Sequence, residues 1–366
     1  MSIFVCTSCG LPYPESGLPH QCPGCGGVFG IERLEFLEKA AIQNALPGIW
    51  RYRSAFGLPG NANMVYLGEG GTPLVGREVA RKRVFFKLEN LNPTGSFKDR
   101  GSALLVSFML SRGVTEVVED SSGNAGASLA AYAAAVGIKS HLFVPSFASG
   151  PKLQQMQAYG ARVVRVPGAR EAAHQAALSF ASERSLPYAS HALLPMGIPG
   201  IASTAFELIE QLGQMPGSIV APIGHGSLFL GLILAVRAIR AQQPGASLPV
   251  MVGAQPANCA PLVANWEKRE FGGCQGSSLA EGTQIETPVR ARQILSLLDP
   301  SRDALVAITE DELLSAWQAL AKMGFYVEPT SALVWAACDK LIDDLPEPVV
   351  LVFSGSGLKF SQQSIK

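Results

Sequence analysis

From about residue 84 onward, short apolar runs alternate with longer segments whose apolar residues recur every three or four positions. The runs VFFKLE (84–89), TEVVED (115–120), KSHLFVP (139–145) and ARVVRVP (161–167) have the length and β-branched content of strands. Between and after them, SALLVSFMLSRG (102–113), NAGASLAAYAAAVG (124–137), PKLQQMQAYG (151–160), EAAHQAALSFASER (171–184) and ASTAFELIEQLG (202–213) carry helical periodicity. Further strands are predicted at SIVAPIG (218–224), LPVMVGAQ (248–255) and PVVLVFSG (348–355). Strands alternating with helices predict an α/β fold, with mainly parallel sheets covered by helices on both faces. Before this region, IERLEFLEKAAIQNAL (31–46) reads as a helix, and FGLPGNANM (56–64) as a Gly/Pro/Asn-rich connection. The greasiest stretch, residues 218–239, is broken by Pro222, His225 and glycines, so it reads as strand, loop and helix rather than a membrane span.

Composition narrows the class. The 366 residues can build two or three domains. They are 48% hydrophobic and 16% charged, a balance that suits a compact enzyme rather than a disordered binder. Lys+Arg and Asp+Glu number 29 each, so no global field favours nucleic acid or an acidic membrane. The start, MSIFVCTSCG, has no basic segment followed by an apolar run, so no secretory signal is expected and a cytoplasmic protein is.

Four of the seven cysteines form Cys6-x-x-Cys9 and Cys22-x-x-Cys25, each pair followed by glycine. Two residues between thiolates let both sulfurs face one metal, and two such knuckles make a four-thiolate zinc site. Two disulfides or a redox pair are the alternatives, but nothing else in the sequence suggests an oxidising compartment. Four thiolates leave no open coordination position, so the zinc would be structural. Without a basic patch, this ribbon is not expected to bind nucleic acid. Cys259, Cys274 and Cys338 are scattered and are expected to be buried apolar residues.

Several glycine- and hydroxyl-rich loops stand where strands end. Ser121-Ser122-Gly123-Asn124-Ala125-Gly126 precedes an alanine-rich helix and offers N–H groups to an anion, or is an ordinary cap. Gly224-His225-Gly226-Ser227-Leu228 could cradle a phosphate. It is not a dinucleotide fingerprint, because Phe229 takes the third glycine position and no acidic residue follows about 20 residues on. Ser354-Gly355-Ser356-Gly357 follows an apolar strand. In the stretch NPTGSFKDRG (92–101), Lys98 stands at a loop–helix junction, either as a cap charge or as a reactive amine. Together the loops suggest a phosphate-bearing cofactor, an anionic substrate group and one amine.

NPTGSFKDRG resembles the cofactor-lysine motif of fold-type II pyridoxal-phosphate (PLP) enzymes, and its wording is most similar to threonine synthases. GEGGTPL (68–74), SSGNAG (121–126), EPTSA (328–332) and SGSGLK (354–359) resemble further motifs of that family, in the expected order over residues 65–360. The resemblance implies two three-layer α/β/α domains with mainly parallel sheets, plus the zinc ribbon. The ribbon would span 1–30, a large cofactor-binding domain 31–95 plus 205–366, and a small substrate-closing domain 96–204. Lys98 would form the Schiff base and move the Cα proton. Asn124 would bond the ring hydroxyl oxygen. Thr94, Ser121, Ser122, Gly123 and Asn124 would face the substrate. Gly224, His225, Gly226, Ser227 and Leu228 would wrap the cofactor phosphate, His225 either touching it or standing behind. Ser354 would face the pyridine nitrogen, where a hydroxyl does not enforce a protonated ring; elimination and replacement are then favoured over transamination. Relatives in the family imply a homodimer.

One segment departs from the threonine synthase pattern. SHALLPMGIPGIASTAFE (190–207) falls where those enzymes carry a run like NPxRxxGQKT, and Gly197 stands at the arginine. An arginine fork is the expected grip on a substrate phosphate. Two substrate readings follow: O-phosphohomoserine gripped by other residues, or an unphosphorylated amino acid such as serine or threonine. A third reading, a catalytically silent binding protein, is disfavoured by the intact lysine and asparagine motifs.

Overall fold

The computed structural model describes residues 3–34, 42–60, 62–243 and 245–360. In chain order the elements are β1 (Phe4–Cys6), β2 (Phe29–Ile31), β3 (Leu74–Val79), β4 (Lys82–Leu88), α1 (Lys98–Ser111), β5 (Glu116–Glu119), α2 (Asn124–Ala135), β6 (Lys139–Pro145), α3 (Pro151–Ala158), β7 (Arg162–Val166), α4 (Arg170–Glu183) and α5 (Gly197–Leu212). Then follow β8 (Ser218–Pro222), α6 (Ser227–Gln242), β9 (Val250–Pro256), α7 (Pro261–Trp266), α8 (Ala291–Leu297), β10 (Ala304–Ile308), α9 (Glu310–Lys322), α10 (Pro329–Leu341) and β11 (Val349–Phe353). Of the helix expected at 31–46, residues 35–41 lie outside the described residues; the rest is not helical, since Ile31 ends β2 and 42–46 form a turn.

Two compact units divide the chain: residues 1–70 with 98–201, and 71–97 with 202–366. In this division residues 42–70 group with the 98–201 block, and the cuts fall at 97/98 and 201/202.

The first unit holds the ribbon and a parallel sheet, β5-β6-β7. β1 and β2 pair antiparallel and carry the two cysteine knuckles between and beside them. Gly10 and Gly26, just after the knuckles, take φ of +75° and +71°. Their N–H groups donate to Cys6 O and Cys22 O at 2.9 and 2.8 Å, and glycine adopts that left-handed turn without a Cβ clash. The ribbon is anchored on α1: Arg112 donates to the carbonyls of Pro14 and Gly17 and lies over the Tyr13 and Phe108 rings.

The second unit is a six-stranded sheet in the order β10-β9-β8-β11-β4-β3, parallel except for the β3–β4 hairpin. Its central strand β11 is wholly buried, as an all-apolar VVLVF run requires. α9 and α10 cover the sheet through a core including Phe86, Val252, Leu313, Leu333 and Leu351. The alternating pattern did not single out β3; it pairs with β4 through a two-residue turn in which Ala80 and Arg81 both have positive φ.

Three helices begin earlier than their apolar periodicity: α1 at Lys98, α5 at Gly197 and α6 at Ser227. They open on lysine, glycine and serine, which carry no apolar stripe but satisfy a helix start; Pro199 sits in the first turn of α5, where no donor is lost. One expectation is corrected. Cys259 is buried as expected, but it is joined by a disulfide to Cys274, which is only half-buried. The intervening loop folds back through Gln275 N–H to Asn258 O (2.7 Å) and Asn258 Nδ2 to Ser277 O (2.6 Å), bringing the two Cα atoms to 4.4 Å. Cys338 is buried as expected. Among the described residues, no helix is long and apolar enough to cross a membrane.

Candidate active site

In the first unit Lys98 opens α1 and is half-buried. The turn behind it is pinned to α2: Ser128 Oγ donates to Asp99 Oδ1 at 2.6 Å and lies 2.7 Å from Ser102 Oγ. Asn124 opens α2, with Gly123 as its cap residue. The loop before it folds over the helix start so tightly that a Cβ on Gly126 would sit 2.1 Å from Ser121 O. Gly123 N–H donates to Ser121 Oγ at 3.3 Å. Ser121 is buried, Ser122 exposed, and Gly123 and Asn124 are half-buried. The result is a helix N-terminus whose positive end can hold a carboxylate.

Sequence reasoning missed the groups behind this loop. β5 ends in Glu119 and is followed by Asp120, both buried. Glu119 Oε1 lies 2.5 Å from His191 Nδ1. Asp120 accepts from Tyr188 OH at 2.5 Å, and its other oxygen lies 3.3 Å from His174 Nδ1. Burial, and then the Asp120 charge, push the Glu119 carboxyl up to about 8, while burial and the Lys98 and Arg170 charges hold His191 well below its ordinary value. Burial also works against Asp120, but hydrogen bonds from His174 and Tyr188 and the Arg170 charge bring it down to about 2. The pairing of two acids at a strand end, in TEVVED, was the available signal.

A pH dependence follows. Folded Glu119 holds its proton above the ordinary value of 4.5, so stability falls as pH climbs from there to about 8. His191, depressed from 6.5, acts in the opposite sense only at lower pH. Burial also lifts Glu69, hydrogen-bonded by Tyr132 OH at 2.7 Å, to about 7, which adds to the same falling limb. Denaturant midpoints of wild type are therefore expected to drop between about pH 6.5 and 8, with at most about 2 kcal/mol of the loss due to Glu119. In Glu119→Gln that share of the slope should vanish; an identical slope would refute the assignment.

Gly197 opens α5, and its reason is packing. A Cβ there would meet Gly101 O at 3.2 Å, and one on Gly200 would meet Arg100 O at 2.1 Å. The first turn of α5 thus lies backbone against backbone on the first turn of α1, two to three residues beyond Lys98.

In the second unit, the strand end after β11 runs beside the loop that leads to Lys98. Phe97 N–H donates to Ser354 O at 3.0 Å and Ser356 N–H to Gly95 O at 2.9 Å. Thr94, in that loop, is 2% exposed. Ser354 Oγ donates to Glu328 Oε1 at 2.8 Å, and the Ser331 hydroxyl receives the N–H groups of Ser354 and Gly355. Between β8 and α6, the loop 224–228 brings Gly224 so near Gly282 O that a Cβ would stand 2.6 Å away, and Gly226 has φ +98°. Ser227 opens α6, is 4% exposed, and its Oγ has no hydrogen-bond partner among the described residues. Leu228 is buried.

The family model described as pyridoxal-phosphate dependent enzyme matches residues 65–355. The chain belongs to that family. It is 31% identical to the threonine synthase of Methanocaldococcus jannaschii over 99% of this chain and 94% of the relative. It is also 31% identical to that of Mycobacterium tuberculosis, over 89% and 92%. Among solved structures, a T.th. threonine deaminase aligns with TM-score 0.67 and 28% identity, over 79% of this chain and 94% of its own. Maize serine racemase, at 20% identity and TM-score 0.68 over 80% of this chain and 91% of its own, shares the fold.

The residues of this PLP enzyme fit the cofactor. The unpartnered, buried Ser227 hydroxyl at the start of a 16-residue helix, beside glycines too crowded for side chains, could hold a phosphate. The sulfurs of Cys6, Cys9, Cys22 and Cys25 all lie within 4.8 Å of one another, a cluster that could hold a metal ion.

Proposed function

We propose that the protein is a PLP-dependent lyase of threonine synthase type, carrying out elimination or replacement on an α-amino acid. The observation that carries this reading is Lys98, half-buried at the head of α1 and tied through Asp99 to the helix whose N-terminus opens at Asn124. Nearly full-length likeness to proteins named threonine synthase supports it. Bound PLP supplies an electron sink for the bond broken at Cα. The Lys98 amine takes the Cα proton, Ser121, Ser122 and Gly123 hold the carboxylate with Thr94 alongside, and Asn124 fixes the ring. Gly224, His225, Gly226, Ser227 and Leu228 hold the phosphate, and Ser354 meets the ring nitrogen with a hydroxyl. The group on the β- or γ-carbon then leaves with its electron pair. Cys6, Cys9, Cys22 and Cys25 hold a structural zinc ion. A cytoplasmic homodimer without nucleic-acid or membrane partners completes the proposal.

A specific observation favours an unphosphorylated substrate, serine or threonine, over O-phosphohomoserine. Gly197 and Gly200 are committed to close backbone contact with α1, so no arginine fork stands at this turn. A turnover assay with O-phosphohomoserine, serine and threonine side by side decides between the two. Ammonia and a keto acid from serine or threonine, without phosphate release from the ester, is the expected result. Threonine formation with phosphate release would overturn it.

A further inference from the structure

The loop 224–228 contains no lysine or arginine, although a phosphate held there brings close to two negative charges. Backbone N–H groups, the α6 dipole and the Ser227 hydroxyl supply only partial positive charge. The backbone and stem of an arginine stand against this loop from a distant part of the sequence. Arg290 caps α8, its backbone N–H donates to His225 O at 3.0 Å, and its Cβ lies 2.9 Å from where a Cβ on Gly226 would be. Its Cγ is 3.7 Å from the same point, so the side chain's stem runs along the loop. Gly226 is therefore glycine for two reasons: its positive φ, and the space beside it being taken by Ile294 Cδ1, at 2.5 Å, and the Arg290 stem.

Arg290 is 1% exposed, one of the largest fully buried side chains among the described residues. Burial draws its pKa down to about 10, which still leaves a cation at neutral pH. Bringing a guanidinium out of water is costly, and its planar fork matches phosphate oxygens. We propose that Arg290 is the counter-charge of the cofactor phosphate, completing the cradle of loop 224–228 from the 281–290 segment. The proposal rests on the PLP reading of this loop, and it is independent of which amino acid the enzyme consumes.

The test measures binding, not turnover. Cofactor-free protein is titrated with PLP and with pyridoxal, which lacks the phosphate, following the visible absorbance of the lysine-bound form. In Arg290→Met, PLP affinity is expected to fall about tenfold to a hundredfold while pyridoxal affinity holds. Arg290→Lys should recover part of the loss. Equal weakening of both ligands would show a structural role and overturn the proposal, as would no change in either. Because the methionine variant can fail to fold, a second measurement uses wild-type holoenzyme. The phosphorus resonance of bound PLP is expected to stay that of a dianion from about pH 5 to 8, a range that spans a free phosphate's second ionisation. A resonance that titrates like free PLP would refute the counter-charge. If PLP itself failed to bind wild type, the reading of the loop would fall first, and the two failures are distinguishable.

Discussion

Lys98→Ala is expected to lower turnover by at least about a thousandfold, since on the proposed mechanism it removes the covalent attachment and the Cα base together. The position explains the size of the effect. Lys98 is the first residue of α1, following a loop whose backbone is bonded to the 354–356 strand end through Phe97 and Gly95. Directly after it, Asp99 is 0% exposed and held by Ser128. The turn that Lys98 opens is thus fixed by a buried hydrogen bond, and no second lysine stands in that turn to replace it. The measurement is single-turnover kinetics on the best substrate, with the absorbance of the lysine-bound cofactor in parallel. Both signals should disappear in the variant, while added PLP should still raise its melting temperature through the phosphate cradle. Turnover within about tenfold of wild type would sink the mechanism.

The largest stability loss is expected at Lys87, which takes no part in the proposed chemistry. Lys87 lies on β4 with no exposed surface, and its Nζ donates to Glu207, to Thr72 O at 2.7 Å and to Gln211 Oε1 at 2.9 Å. Glu207 also accepts from Gly71 N–H at 2.7 Å, while Thr72 Oγ1 donates to Glu89 Oε1 at 2.7 Å and Asn92 donates to Glu89. One ammonium thereby ties the glycine loop at 71–73 to α5, and Glu89 ties it on to the loop that carries Thr94. Lys87→Met leaves the Glu207 carboxylate buried without its cation, a loss of about 3–5 kcal/mol in denaturant unfolding. Adding Glu207→Leu should recover much of it, because the isolated buried charge, rather than the missing attraction, dominates the cost. A single-variant loss below about 1 kcal/mol would contradict this account.

Parallel α/β architecture was legible because each apolar run is bounded by glycine or polar loops, and each helix has a clear apolar stripe. The strands 139–145 and 218–222 were bounded to within two residues on that basis. The candidate site was legible in part: the chemistry-bearing loops are local in sequence, so Lys98, Asn124, the 224–228 loop and Ser354 could be named from their own surroundings. What escaped was everything whose meaning is non-local. Glu119 and His191 are 72 positions apart, Lys87 and Glu207 are 120 apart, and neither partner announces the other. Arg290 sits in an ordinary polar turn until His225 is placed beside it.

The sequence by itself determined the fold class and the pairing of the cysteine knuckles into one cluster, because these depend on periodicity and on residue types at short spacing; the cofactor family came from the resemblance of five short motifs to known enzymes. Only the tertiary structure decided why Gly197 is glycine, where two helix starts meet backbone to backbone, and that Cys259 and Cys274 are joined. It also decided which buried charges face one another. Packing distances and desolvation belong to residues far apart along the chain, and no local pattern encodes them.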